Sequence, residues 1–206
     1  ENIKSLPDGV HVFQMWTHND TLVALGEDNL WILDQTEEQW KKTEFFLPGA
    51  VKSIAYNTNN TFLLIADEAT GRINKVESFA LPGQARRRDL PLLPTPLQSA
   101  SGSVLDDQLF IVGMSGDGIP YMFGLNISEE NTIWKKYSAW EKKSDGTITS
   151  VIAQTDSLQV TLRNDGKQEE QMLQWSKKNG WEQRGSLAGH IVTGTARPIG
   201  QGHVLY

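Results

Sequence analysis

The chain has 206 residues, a formal net charge of −6, seven tryptophans and no cysteine. Without cysteine there are no disulfides, no thiolate catalysis and no cysteine-ligated zinc. The acidic balance, with Arg86-Arg87-Arg88 as the only basic run, argues against nucleic acid as a partner.

In chain order, Leu6-Pro7 leads into Val10-His11-Val12-Phe13, a polar turn at His18-Asn19-Asp20, and the apolar run from Leu22 to Gly26. Leu30-Trp31-Ile32-Leu33 and Gln39-Trp40-Lys41 complete this first unit. Leu47-Pro48 opens the second, with strands predicted around Ser53, over Phe62-Leu63-Leu64-Ile65 and over Ile73-Asn74-Lys75-Val76. Leu93-Pro94-Thr95-Pro96-Leu97 opens the third as an extended loop, because each proline fixes φ and biases its predecessor away from helix. The small residues from Ser99 to Val104 suit an inner strand where blades converge. Leu109 to Gly113, Tyr121 to Leu125 and Thr132 to Lys136 follow as second, third and outer strands. A fourth unit runs through Ile148 to Ile152, Leu158 to Leu162, Met172 to Trp175 and Trp181-Glu182. A fifth begins with Ile191 to Ala196, centred on Thr193, and His203 to Tyr206.

The units recur on one clock. The Leu-Pro pairs that open the first three units, at Leu6, Leu47 and Leu93, step by 41 and 46 residues, and Trp134 and Trp181 lie 47 apart. A period in the forties filled with short strands points to a β-propeller. No window holds a helical period over three turns.

The third unit carries a resemblance. Leu93-Pro94-Thr95-Pro96-Leu97, then Ala100 to Gly113 with its polar turn at Asp106-Asp107-Gln108, then Trp134, resembles a kelch repeat, and the run from Ala196 to Tyr206 resembles the start of another. The stretch from the third unit onward is similar to the bacterial kelch group that includes N-acetylneuraminate mutarotases and kelch domains attached to sodium:solute symporters. The glycine doublet of the family is reduced to Gly113-Met114 here. The expected fold is thus an all-β, kelch-like propeller of four complete four-stranded blades (6–46, 47–92, 93–138 and 139–186) plus the start of a fifth (187–206). It forms one domain and is expected to be part of a larger propeller.

Candidate chemistry is sparse. Asp106-Asp107, Asp117-Gly118 and Asp165-Gly166 read as turns. His11, His18, His190 and His203 have no metal-ligand spacing, so no metal is expected, and with no P-loop or dinucleotide glycine fingerprint no cofactor is expected either. Trp31, Trp40, Trp134, Trp175 and Trp181 fall on third or outer strands and are expected to pack between blades, whereas Trp16 and Trp140 are read as loop positions open to a ligand. His190 and Arg197 flank the inner strand of the fifth unit, where propeller loops build the mouth of the channel. Ligand contacts are therefore expected at Arg197, His190, Trp16 and Trp140, with no catalytic residue assignable and enzymatic activity undecided.

The expected role is a ligand- or partner-binding module in carbohydrate recognition or uptake at the bacterial envelope. The location would be periplasmic or cell-surface, and the partner a small sugar or a protein. The resemblance also implies two alternatives: a sialic-acid-type mutarotase or epimerase, and a structural domain attached to a membrane transporter. No apolar run in the chain approaches the roughly 18–20 residues that would span a bilayer.

Overall fold

The computed structural model describes residues 6–7, 9–26, 29–34, 36–46, 49–57, 59–79, 88–130, 132–141, 143–164, 166–167, 169–188, 197–200 and 203–205. Apolar runs bounded by polar turns become strands throughout, and the described residues include no helix. The first sheet is β1 (Val12–His18), β2 (Thr21–Gly26), β3 (Asn29–Asp34) and β4 (Gln39–Phe46). The second is β5 (Ala50–Tyr56), β6 (Thr61–Ala66), β7 (Ile73–Phe79) and the two-residue β8 (Arg88–Asp89). The third comprises β9 (Ser99–Leu105), β10 (Gln108–Met114), β11 (Pro120–Asn126) and β12 (Lys135–Tyr137). The fourth holds β13 (Thr147–Ala153), β14 (Ser157–Asn164), β15 (Glu169–Ser176) and β16 (Gly180–Ala188). A hairpin of β17 (Arg197–Gly200) and β18 (His203–Leu205) follows.

Each four-stranded sheet is an antiparallel meander in chain order, and its first strand touches the first strand of the next sheet: β1 with β5, β5 with β9, β9 with β13. This is the blade arrangement of a propeller, with the segments around Val12, Ser53, Ser101 and Ser150 innermost. The inner strand expected around Thr193 lies outside the described residues.

Turn chemistry explains the meanders. Asn19 and Asp20 both take positive φ, 46° and 61°, as a primed two-residue hairpin requires and as these side chains tolerate. Asp106, at φ 53°, occupies the equally short turn between β9 and β10. The paired carboxylates there are a turn, as their position between two strands implied. β1 runs to the turn itself, five residues beyond the Phe13 expected from sequence, because Met15, Trp16 and Thr17 stay in register with Ala24, Val23 and Leu22. The third outer strand is shorter than expected, beginning only at Lys135.

The core lies in the seams between blades. Trp16, Val23, Leu25 and Leu30 of the first blade meet Ile54, Leu63, Ile65 and Phe79 of the second. The other face of the second blade, with Ala55, Phe62 and Leu64, meets Leu109, Ile111 and Phe123. Phe110, Val112 and Met122 then meet Val151, Leu158, Val160 and Trp175. β6 is buried at all six positions, which is why it reads as a continuous apolar run rather than an alternation. Successive residues Leu63 and Leu64 serve opposite seams.

Two tryptophans make the repeat visible as a bond. Trp134 Nε1 donates to the Pro91 carbonyl (2.8 Å), and Trp181 Nε1 to the Ser138 carbonyl (2.7 Å). Donor and acceptor both advance by 47 residues, from 134 to 181 and from 91 to 138. Gly102 is needed where β9 meets β5: a Cβ there would lie 2.6 Å from Ile111 Cδ1, 2.8 Å from the Phe110 carbonyl and 2.9 Å from Ala55 Cβ.

Candidate functional site: the channel-side cavity

The four inner strands converge on a cavity of about 1040 Å³. Its walls come from residues 13–17 of β1, from 51–54 and Tyr56 of β5, from 100–104 of β9 and from 148–153 of β13. Three of these strands share a local irregularity. Val12 pairs with Gly26 and Gln14 with Leu25, so Phe13 is an extra residue without an opposite number. In β5, Val51 pairs with Ile65 and Ser53 with Leu64, which leaves Lys52 extra. In β13, Ile148 pairs with Leu162 and Ser150 with Thr161, which leaves Thr149 extra. Such β-bulges re-aim one side chain and increase the local twist. Phe13, Lys52 and Thr149 occupy equivalent places in their blades, and all three line the cavity. β9 pairs without interruption from Ser99 to Leu105 and contributes small residues instead.

The character of the wall follows from these positions. Phe13 is 64% exposed and Met15 42%, among the few large apolar side chains the described structure leaves open. Lys52 is exposed and, among the described residues, is the one charged side chain lining the cavity; among them it enters no ion pair. Hydroxyl groups come from Thr17, Ser53, Tyr56, Ser101, Ser103, Thr149 and Ser150. Some of these serines, with the neighbouring Ser99, also tie blades together. Ser103 Oγ accepts from the Ala153 amide (3.0 Å), Ser99 Oγ accepts from the Ile148 amide (3.2 Å), and Ser53 Oγ donates to Ser101 Oγ (3.4 Å). The serines of β9 thus satisfy amides on the open edge of β13.

Trp16 is not on a loop. It lies within β1, 3% exposed, with its Nε1 donating to Thr61 Oγ1 (2.9 Å) across the first seam. His18 Nδ1 sits 3.0 Å from the same oxygen, and its ring meets Phe79 edge-on at 6.4 Å. Burial holds the His18 pKa below the ordinary histidine value. The sequence reading missed this because β1 is longer than its opening apolar residues suggested. Trp16 reaches the cavity from behind, as part of its lining. Trp140 does lie between strands, but it is half-buried, packs edge-on against Trp181 at 5.0 Å and is not part of the cavity wall. His190 lies outside the described residues. Arg197 heads β17, where it pairs with Leu205.

Asp117 is a turn residue, as its position before Gly118 implied. It accepts from Ser115 Oγ, and this bond, helped by Lys143 and Arg72 nearby, holds its carboxyl below the usual range. Among the described residues no three His, Asp or Glu side chains gather as a metal site would need, and no helix is long and apolar enough to cross a membrane.

Phe13, Lys52 and Thr149 were missed by sequence reasoning, although a signal exists. Apolar residues spaced by three, Val51 and Ile54, and again Ile148 and Val151, pack into the same seam. In an unbroken strand that spacing would send them to opposite faces. The residue slipped between them is the one turned into the channel.

No protein-family model and no curated protein sequence matches the chain. Solved structures do. The extracellular domain of the hybrid two-component system BT4673 from B. thetaiotaomicron superposes with a TM-score of 0.57 at 12% identity, over 84% of this chain and 22% of that one. The N-terminal domain of Nup159 gives a TM-score of 0.50 at 14% identity, over 84% of this chain and 47% of that one. A chain in the S. cerevisiae complex of Dbp5 with Nup159, Gle1, IP6 and ADP gives 0.50 at 14% identity, over 88% and 48%. The chain therefore spans about half the length of the Nup159 domain and about a fifth of the BT4673 domain. At this identity the likeness is one of fold, a β-propeller blade arrangement.

Proposed function

We propose that the chain is a β-propeller binding module whose ligand or partner seats in the channel-side cavity. The observation that carries this is the repeated bulge: three inner strands give up ladder pairing at the same place and turn Phe13, Lys52 and Thr149 toward one space. A bulge repeated for packing alone would not be expected to leave a phenylalanine and a lysine exposed.

The kelch resemblance extends the reading to carbohydrate recognition or uptake at the bacterial envelope, in a periplasmic or cell-surface setting. An extracellular domain among the similar folds agrees with that setting. Attachment to a sodium:solute symporter belongs to the same reading. Mutarotase chemistry gains less support, because moving a proton around a hemiketal needs an acid–base pair. The cavity wall, among the described residues, offers neither histidine nor carboxylate.

The test is to probe glycan and short-peptide arrays with the labelled chain and with a Phe13→Ser, Lys52→Glu, Thr149→Val variant of unchanged melting temperature. Binding by the wild-type chain that the variant loses supports the cavity as the site. Binding that survives in the variant overturns it. In parallel, anomer interconversion of N-acetylneuraminate followed by NMR should not be accelerated by the chain; clear acceleration would favour the mutarotase reading.

A further inference from the structure

We propose that the occupant of the cavity is an extended peptide segment of a partner protein, held by a carboxylate at Lys52 and by a large apolar side chain against Phe13 and Met15. This rests on the binding-module reading above and gives the occupant a chemical class.

Charge complementarity selects the carboxylate. The protein carries a net charge of −6, yet among the described residues no Asp or Glu lines the cavity, and the charge they bring to it is the Lys52 ammonium. Local charge rather than the overall balance governs contacts at this range, because salt screens fields beyond roughly 8–10 Å. Beside an apolar wall the attraction between this ammonium and a carboxylate is stronger than it would be in bulk water.

The apolar wall selects a side chain rather than a sugar. Phe13 and Met15 stand open on β1, with Leu22 and Leu25 behind them. Sugars are held by planar, multiply bonding side chains that match their hydroxyl pairs. Of these types the described wall has the amides of Gln14 and Asn57, with no Asp, Glu or Arg among the described residues. A methionine beside an aromatic ring instead forms an adaptable surface for aliphatic or aromatic partners.

Size and edges favour an extended segment. The volume of about 1040 Å³ is at the upper limit of small-molecule pockets, which run to about 1,000 Å³. Among the described strands β1 pairs with β2 alone, so its other edge offers main-chain groups to a chain laid beside it. The edge of β13 differs, since Ser99 and Ser103 already accept two of its amides.

The experiment uses fluorescence anisotropy with labelled eight-residue Gly/Ser peptides carrying one Asp and one Leu at spacings of one to four. Matched peptides replace Asp by Asn or Lys, or Leu by Ser. The expected result is a preference of about three- to five-fold for Asp over Asn at low salt, shrinking toward none at about 0.5 M salt. Lys52→Glu should turn the preference toward the Lys peptide, and Phe13→Ser should remove the preference for Leu over Ser. Both positions are exposed, and equal melting temperatures will show that each variant folds. Peptide binding with no carboxylate preference, or a preference untouched by Lys52→Glu, overturns this inference while the binding-module reading stands. Binding of a glycan but of no peptide overturns it in favour of a sugar. Failure of every glycan and peptide to bind the wild-type chain overturns both.

Discussion

Trp134→Ala tests the packing argument most directly. The indole is 9% exposed, packs into the seam between second and third blades, and donates Nε1 to the Pro91 carbonyl at 2.8 Å. Burying roughly 200 Å² of aromatic surface at about 25 cal/mol per Å² contributes about 5 kcal/mol, and aromatic truncations in cores cost about 3–5 kcal/mol. Trp134→Phe separates the parts: it retains most of the apolar contact but removes the donor, so about 1–2 kcal/mol should be lost. Urea unfolding followed by far-UV circular dichroism, with equal m-values, gives the comparison. Trp16→Ala should cost about as much as Trp134→Ala, since Trp16 is buried in the first seam rather than held in a loop. Losses below about 1 kcal/mol for Trp134→Ala, or a Phe variant as damaged as the Ala variant, would refute the reasoning.

Gly102→Ala should destabilise by about 1–3 kcal/mol, because its Cβ would press on Ile111, the Phe110 carbonyl and Ala55 together; a neutral result in thermal melts would mean the second and third blades can move apart at no cost. Stability should also fall in mild acid through His18. Its folded pKa lies below the ordinary 6.5, so the unfolded chain takes up the proton first. This contribution is fully present above about pH 6.5 and is lost as pH falls from there through the lowered folded value. Melting temperatures at pH 7.5 and 5.0 should therefore converge in His18→Gln relative to the wild-type chain, and an unchanged difference would remove His18 as the cause.

The period of the sequence determined the architecture. Leu-Pro pairs, polar turns and apolar runs recur in the forties, and each such unit can only bury both faces of its strands by stacking on another. The small residues of Ser99 to Val104 announced an inner strand, and the structure has β9 innermost at that place. The tryptophan clock likewise became two equivalent bonds, to Pro91 and to Ser138. The binding face was not legible in the same way. Trp16 looked available because solvent exposure is a property of the neighbouring blade, and only docking of Thr61 and Phe79 against β1 decides it. Phe13, Lys52 and Thr149 looked like ordinary alternating residues. That they share one cavity depends on three separate register slips, each a local break in pairing whose common direction exists only once the inner strands stand around a shared centre.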